Sequence, residues 1–325
     1  MKKIISYSII IFYLIMMFSG CTSHKKNETS DKIHVVCTLF PQYDWVKEIV
    51  GDNDNIEITF LLKNGVDLHS YQPTADDILN ISKADLFIYV GGVSDAWVED
   101  ALKQASNDKM KIINMMEVLN DSLQLNNEEV EGHEHHDHDS HKHSNIEYDE
   151  HVWLSLNNAA IITQSIADAL SDIDPDDKNL YQDNCKNYVM KIKELDKEYN
   201  DMIKSAKYDT IIFGDRFPFA YLFKDYNLKY FAAFTGCSAE SEASFETITF
   251  LVEKLNEIGV SVVFTVDSSG QDLAKTIIES SDNKNQEIMV MYSMQSVTNQ
   301  DIIEGASYLG IMQKNYETLK YALNK

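Results

Sequence analysis

The chain has 325 residues, of which 44% are hydrophobic and 25% are charged, so its composition excludes wholesale disorder and a protein with many membrane spans. This length suits two lobes, each large enough to bury its own core. The 28 Lys and Arg residues against 52 Asp and Glu residues give a formal net charge of -24, which repels phosphate backbones, and nucleic acid is not an expected partner. The same acidity attracts cations, although a soluble, self-repelling surface explains it equally well.

The first 20 residues carry the pattern of a secretory signal, with two lysines, an apolar run and two small residues directly before Cys21. Small residues before a cysteine match a lipobox, in which the cysteine takes a diacylglyceryl chain and becomes the mature N-terminus. We therefore expect removal of residues 1–20, a polar tether over residues 21–31, and a lipid anchor at the extracytoplasmic face of the cell membrane. An ordinary membrane-anchor helix, or a signal that happens to precede a cysteine, is the alternative interpretation.

From residue 32 onward, short apolar runs alternate with helical patterns, which predicts an α/β fold with parallel sheets covered by helices. In a first lobe, residues 32–156, the predicted strands are Ile33–Phe40, Ile56–Leu62, Asp85–Val90 and Lys111–Ile113, and the predicted helices are Gln42–Val50, Ala75–Ser82 and Ala96–Ala105. In a second lobe, residues 207–325, the predicted strands are Thr210–Gly214, Lys229–Ala233, Val260–Val266 and Glu287–Met291, and the predicted helices are Phe217–Tyr226, Phe245–Ile258, Asp272–Ser281 and Ile302–Leu323.

Residues 157–206 read as two helices between the lobes, Asn157–Leu170 and a longer one that begins at Pro175. Asp174 suits the N-cap of the longer helix, and proline suits its first position. A helix that runs to Ala206 would be on the order of 45 Å long, so we expect one long rigid helix to join the lobes. A long surface helix within one lobe is the alternative.

Residues 126–144 break this pattern, because histidines alternate with acidic residues there and no apolar residue follows Val130. Such a segment cannot bury itself and is expected to form a mobile loop. Neutral imidazole is a preferred zinc ligand and carboxylates attract cations, so the loop indicates metal handling more strongly than it indicates a defined site. A tolerated low-complexity insertion is the alternative. The six histidines of this loop are His133, His135, His136, His138, His141 and His143.

Two histidines outside the loop stand where a fold can fix them. His69 follows a predicted strand and a turn, so it lies beyond the carboxyl end of that strand, where open α/β sheets bind ligands. His151 lies directly after the histidine-rich loop and before a predicted helix. Each alone is more often a surface or core histidine, but the two together beside that loop favour metal ligation.

Segments around these histidines match a known family. Residues 65–74, GVDLHSYQPT, are similar to the family pattern G-x-D-P-H-S-Y-E-P-T, and residues 149–156, DEHVWLSL, are similar to D-P-H-V-W-L-D-P. Residues 84–91, ADLFIYVG, match as well. The chain therefore resembles the solute-binding lipoproteins of zinc and manganese ABC importers over essentially its whole mature length.

The resemblance implies two similar lobes joined by one long α-helix, with a metal ion in the cleft between them and with His69 and His151 as ligands. It implies extracytoplasmic capture of a divalent transition metal and delivery to the permease and ATPase of an ABC importer, without enzymatic activity. Zinc is the expected cargo, because a histidine-rich loop before the second ligand is typical of the zinc-preferring members, and manganese is the alternative. We expect the receptor to be a monomer.

The second-lobe ligands of the family are not matched. Gly214 stands at the position that usually carries a histidine or glutamate, and glycine has no side chain to bind a metal. Gln295 stands near the usual aspartate and is at best a weak oxygen ligand for zinc. Cys237 follows a second-lobe strand, and its thiolate would be a strong zinc ligand, so we expect it to complete the site; a free thiol in a turn is the alternative. Lesser candidate ligands are Glu240, Asp215 and Asp267.

Two other functions fit parts of the sequence. A metal-dependent hydrolase could use the same two histidines with an aspartate as base, but the chain has neither an H-E-x-x-H pattern nor a G-x-S-x-G elbow. A surface adhesin or zinc reservoir could act through the histidine-rich loop alone. Deletion of that loop separates a reservoir from a receptor with a fixed site.

Overall fold

A computed structural model of the protein describes residues 32–124, 148–236, 242–267 and 269–325. Residues Ile33–Lys325 pack as one unit that contains two four-stranded parallel sheets. Across these described ranges, no helix is long and apolar enough to cross a membrane.

The first lobe is built on a sheet with the strand order β2-β1-β3-β4, in which all neighbouring strands run parallel. Its elements in chain order are β1 (Ile33–Cys37), α1 (Phe40–Val50), β2 (Ile56–Phe60), α2 (Ala75–Lys83), β3 (Leu86–Tyr89), α3 (Val98–Leu102), β4 (Lys111–Asn114) and α4 (Met115–Leu119). The predicted strands and helices of this lobe are all present, with ends that differ by a few residues.

Two helices follow the first lobe, α5 (Leu156–Ile173) and α6 (Lys178–Lys204), and the 27 residues of α6 extend over about 40 Å. The prediction that the longer helix begins at Asp174 and Pro175 is wrong. Asp174 instead ends α5, and its carboxylate accepts a hydrogen bond of 2.7 Å from the Tyr181 hydroxyl. The Asp174 carboxylate therefore binds a side chain of α6 instead of capping the first turn of that helix.

The second lobe repeats the topology of the first, with the strand order β6-β5-β7-β8 in a parallel sheet. Its elements are β5 (Thr210–Phe217), α7 (Ala220–Asp225), β6 (Lys229–Thr235), α8 (Phe245–Ile258), β7 (Val262–Val266), α9 (Asp272–Ser280), β8 (Glu287–Met291), α10 (Asn299–Ile303) and α11 (Tyr308–Asn324). Strand β5 is longer than predicted, because its pairing with β6 resumes after an irregularity between Phe213 and Arg216. The exact boundaries of the lobes and of the connecting segment stay predictions.

The prediction of a single final helix, Ile302–Leu323, is wrong, since α10 and α11 divide this stretch. Gly305 lies between them with φ +95°, a conformation that glycine adopts without strain. Ser307 then starts α11 by accepting a hydrogen bond from a backbone amide three residues later. The break allows Tyr308, at the start of α11, to donate its amide to Asp44 of α1.

The inner strands β3 and β7 are buried along almost their whole length. All five residues of β7 are buried, as are three of the four residues of β3. Helices cover both faces of a parallel sheet, so its strands read as continuous hydrophobic runs rather than as alternating ones. The polar groups of a binding site are then left to the loops at the carboxyl ends of the strands.

Backbone hydrogen bonds join the two lobes beside those carboxyl ends. Asn64 and Thr298 form an isolated antiparallel bridge, and the Asn299 amide donates to the Lys63 carbonyl at 3.0 Å. These contacts fix the loop that leaves β2 against the segment that follows β8.

Asp44 is a buried carboxylate at the place where three helices meet. It is 4% exposed, and its Oδ2 accepts hydrogen bonds from the Tyr308 amide at 2.9 Å and from the Tyr188 hydroxyl at 3.3 Å. Burial raises the pKa of Asp44 to about 6, and these hydrogen bonds offset the effect only in part. The ionised carboxylate thus links α1, α6 and α11 at a cost to the stability of the fold.

We expect Asp44→Asn to reduce the dependence of stability on pH between about 4 and about 6. Because folding raises the pKa of Asp44, the folded state holds its proton more tightly, and the free energy of unfolding of the wild-type chain falls as pH rises through this range. The asparagine variant lacks this loss, so its advantage over the wild-type chain should grow by up to roughly 3 kcal/mol across the range. Denaturant unfolding at a series of pH values measures the difference.

The control for this measurement is Asp52→Asn, at an exposed position just beyond α1. It is expected to leave the pH dependence of the wild-type chain unchanged. If Asp44→Asn showed the same pH dependence as the wild-type chain, folding would not raise the pKa of Asp44.

Candidate metal centre

His69 is held by a short 3-10 turn, Leu68–Ser70, in the loop that follows β2. Asp67 caps this turn, since its Oδ1 accepts a hydrogen bond of 2.9 Å from the His69 amide. The Nδ1 atom of His69 lies 2.7 Å from Ser94 Oγ. Nε2 is therefore the nitrogen that faces the second histidine.

His151 is fully buried and directly precedes another 3-10 turn, Val152–Leu154. Asp149 Oδ1 accepts a hydrogen bond of 2.8 Å from the His151 amide and lies 3.0 Å from His151 Nδ1. A proton held on Nδ1 by a carboxylate leaves Nε2 as the nitrogen that can bind a metal ion.

The two histidines approach each other through their Nε2 atoms, which are 3.4 Å apart. Two nitrogens that each bind a tetrahedral zinc ion at ~2.0–2.1 Å would be about 3.3 Å apart. The spacing of the pair therefore fits two corners of a zinc tetrahedron.

Burial also keeps His69 neutral. It lowers the pKa of His69 to about 4, and the nearby His151 ring acts in the same direction, while the Asp67 carboxylate opposes both. At neutral pH the ring can bind a cation without first releasing a proton.

Gln295 brings a second-lobe side chain to the pair. Its Nε2 lies 3.1 Å from His151 Nε2, and its Oε1 is buried with no hydrogen-bond partner among the described residues. Met294 before it has φ +66°, a left-handed conformation that few non-glycine residues adopt, and the carbonyl before Met294 accepts a hydrogen bond of 2.8 Å from the Trp153 indole. The structure thus brings together three of the predicted site residues, Gln295 and the two histidines.

The predicted carboxylate ligands Asp215 and Asp267 hold loops of the second lobe. Asp215 Oδ2 accepts a hydrogen bond of 3.0 Å from the Val266 amide, and Asp267 Oδ1 accepts hydrogen bonds from both the amide and the hydroxyl of Ser293. In the part of the chain that the structure describes, no three His, Cys, Asp or Glu side chains are grouped closely enough to hold a metal ion. A role of either carboxylate as a metal ligand stays a prediction.

Most of the chain matches one protein family, whose model is described as ZnuA, zinc-uptake complex component A periplasmic, and covers residues 35–322. The chain belongs to this family. The zinc-binding lipoprotein AdcA of Streptococcus pneumoniae is 31% identical over 321 residues, which are 98% of this chain and 61% of AdcA. The high-affinity zinc uptake system protein ZnuA of Bacillus subtilis is 31% identical over 313 residues, which are 96% of this chain and 94% of that protein. This chain therefore spans about 61% of the length of the AdcA relatives that it matches.

Solved structures agree with this family assignment. The Zn(II)-bound ZnuA-like domain of Streptococcus pneumoniae AdcA has a TM-score of 0.70 at 27% identity, over 90% of this chain and 100% of that domain. The metal-dependent lipoprotein YcdH of Bacillus subtilis has a TM-score of 0.72 at 28% identity, over 90% of this chain and 99% of that protein. The predicted family and the predicted class of fold, two α/β lobes with parallel sheets, are confirmed.

In this ZnuA family member, position 214 has no room for a ligand side chain. A Cβ atom built on Gly214 would lie 2.6 Å from Ala274 Cα in α9, which is closer than real Cβ contacts. Strand β5 passes so close to this helix that only glycine fits. Helix packing therefore explains the glycine that sequence reasoning noted as a missing ligand.

Arg216 is a cleft residue that sequence reasoning missed. Its guanidinium lies 3.7 Å from Asp67 Oδ2, so an ion pair joins β5 of the second lobe to the turn that carries His69. The sequence offers one signal, since Arg216 is the single arginine of the chain. Its charge offsets one of the carboxylates that surround the histidine pair.

Several predicted site residues lie outside the described residues, namely Cys21, Cys237, Glu240 and the six histidines of the histidine-rich loop. Gly236, which directly precedes Cys237, passes close to the pair. A Cβ atom built on Gly236 would lie 3.0 Å from His151 Cε1. The chain therefore reaches the histidine pair one residue before Cys237.

We expect Gly214→Ala to lower the free energy of unfolding by about 1–3 kcal/mol, because the added methyl group would overlap the backbone of α9. Thermal and denaturant unfolding measure this change. Gly270→Ala is the matched control, since a Cβ atom there meets nothing closer than 3.9 Å, and it should be nearly neutral. Equal stability of the two variants would contradict the close approach of β5 to α9.

Proposed function

We propose that the chain captures Zn²⁺ outside the cytoplasm and delivers it to an ABC importer. The observation that carries this proposal is the pair of His69 and His151, whose Nε2 atoms lie 3.4 Å apart beside a second-lobe side chain. The names of two relatives support zinc, since AdcA is a zinc-binding lipoprotein and the Bacillus subtilis protein belongs to a high-affinity zinc uptake system. Mn²⁺ is the alternative cargo, and it is less suited to imidazole ligands than zinc is.

Four side chains form the proposed coordination shell: His69, His151, Gln295 and Cys237. The buried Oε1 of Gln295, which lacks a hydrogen-bond partner in the described ranges, supports its place, because a turn of the amide brings this oxygen to the ion. The approach of Gly236 to His151 supports Cys237, and thiolate is among the preferred ligands of zinc. Lesser candidate ligands are Glu240, Asp215 and Asp267.

A complete shell distinguishes a receptor from a metal-dependent hydrolase. Catalytic zinc keeps an open position for water, whereas a structural or transported ion can be fully enclosed. Two imidazoles, an amide oxygen and a thiolate leave no open position on a tetrahedral ion. We therefore propose capture without turnover, in keeping with a family described as a zinc-uptake component.

The proposed setting of the receptor is the outer face of the cell membrane. Cys21 would carry the lipid anchor, and the relative AdcA is itself named a lipoprotein. The partners would be the permease and ATPase of the importer, which take the ion from a monomeric receptor. The histidine-rich loop and the net charge of -24 would draw cations toward the cleft without defining the site.

Zinc titration by calorimetry should find one tight site in the chain after residues 126–144 are deleted. In that background, His151→Ala is expected to weaken binding by more than the roughly 10- to 100-fold that loss of a supporting residue costs, because a ligand itself is removed. His34→Ala, at an exposed histidine of β1, is the control and should leave the affinity unchanged. Tight one-to-one binding that survives His151→Ala would place the site elsewhere.

Cys237→Ser is expected to weaken binding of Zn²⁺ more than binding of Mn²⁺, because thiolate prefers zinc. Cobalt gives a second readout: Co²⁺ in the wild-type chain should show a thiolate charge-transfer absorption that the serine variant lacks. Cys185→Ala, which removes a buried thiol of α6, serves as the control. Unchanged zinc affinity of Cys237→Ser in the loop-deleted background would rule out the thiolate as a ligand.

A further inference from the structure

We propose that Glu150 is a positioning residue that sets the tautomer of His69, so that His69 presents Nε2 to the metal ion. The identity of the ion rests on the proposed function. The place of the proton on His69, in contrast, can be measured in the protein without any ion.

Glu150 is a buried carboxylate within the segment that carries His151. It is 3% exposed, and its Oε1 accepts a hydrogen bond of 2.9 Å from the Ser94 amide. Its Oε2 is buried and has no hydrogen-bond partner among the described residues. A buried carboxylate oxygen without a hydrogen bond costs stability, so packing alone does not account for a carboxylate at this position.

The unpartnered oxygen lies next to the histidine pair. Glu150 Oε2 is 3.5 Å from His69 Nδ1, and the Ser94 hydroxyl is 2.7 Å from the same nitrogen. The hydroxyl can accept a hydrogen bond, and the carboxylate can only accept. These neighbours favour the tautomer with its hydrogen on Nδ1, which leaves Nε2 as the nitrogen that can bind the ion.

Gly92 leaves the space that the carboxylate occupies. A Cβ atom built on Gly92 would overlap the Glu150 carboxylate, and the backbone there has φ +80°. The loop after β3 can therefore close over Glu150 and bring Ser94 against His69. The loop holds the Glu150 carboxylate in place, and the carboxylate in turn lies beside the His69 ring.

Glu150 and its neighbour Asp149 support different histidines. Asp149 Oδ1 lies 3.0 Å from His151 Nδ1, while Glu150 Oε2 lies 3.5 Å from His69 Nδ1. Two consecutive acidic residues thus stand behind the two rings of the pair. One segment of the first lobe thus sets both tautomers and leaves the two Nε2 atoms facing each other.

Glu150→Gln tests the inference, because glutamine keeps the shape of the side chain and places an N–H donor near His69 Nδ1. In metal-free protein with ¹⁵N-labelled histidine, NMR is expected to show His69 with its hydrogen on Nδ1 in the wild-type chain. In the variant, the population should shift toward the tautomer with the hydrogen on Nε2. Zinc affinity should fall roughly 10- to 100-fold, the usual loss for a group that orients a metal ligand.

Ser94→Ala separates the two neighbours of Nδ1. It retains the Glu150 carboxylate, so His69 should keep its hydrogen on Nδ1; loss of that tautomer would assign the role to Ser94 and overturn the inference. Glu99→Gln, at an exposed glutamate of α3, is the matched control and should change neither the tautomer nor the affinity.

An unchanged His69 tautomer in Glu150→Gln would also overturn the inference, even if zinc affinity fell, because a loss of affinity alone would then reflect packing. The two proposals fail separately. A wild-type chain that binds no zinc through His69 would overturn the proposed function, and the tautomer measurement would still decide the role of Glu150.

Discussion

The arrangement of the cleft depends on one close approach, that of the Nε2 atoms of His69 and His151, which lie 3.4 Å apart. Several groups of the surrounding chain hold the two rings in this arrangement, among them the Gln295 amide nitrogen at 3.1 Å from His151 Nε2. On the opposite side of each ring, Asp149 lies at His151 Nδ1 and Glu150 lies at His69 Nδ1. Asp67 accepts a hydrogen bond from the His69 amide. A divalent ion bound as proposed would lie between the rings and be held by both Nε2 atoms.

Acidic residues of the two lobes have separate tasks. Asp215 and Asp267 accept hydrogen bonds from second-lobe loops, and Asp67 both caps the His69 turn and pairs with Arg216. Their negative charge is therefore partly neutralised, or committed to holding the backbone, before any ion arrives. The affinity of the proposed site would then depend on ligand geometry, while the net charge of -24 acts on cations at longer range.

The fold and the two histidines could be predicted from the sequence because both leave local patterns. Alternating strands and helices indicate parallel sheets, and His69 follows the end of a strand. Arg216 and Glu150 could not be predicted in this way, because each lies beside a residue that only the folded chain brings near. Gly214 shows the same limit, since the helix that leaves no room for a side chain there is α9, much later in the chain. The N-cap predicted at Asp174 is wrong for a local reason, since its carboxylate accepts the Tyr181 hydroxyl and α6 begins only at Lys178.

The antiparallel bridge between Asn64 and Thr298 lies on the two loops that carry His69 and Gln295. The segment that carries His151 is attached to the second lobe as well, because the Trp153 indole donates a hydrogen bond to the Ser293 carbonyl. In the proposed metal complex, these contacts would oppose the release of the ion one ligand at a time. Release of an ion bound as proposed would then require the lobes to separate, and its residence time would depend on how readily this hydrogen-bonded cleft opens. In the proposed transport cycle, the partner that separates the lobes would set the timing of release.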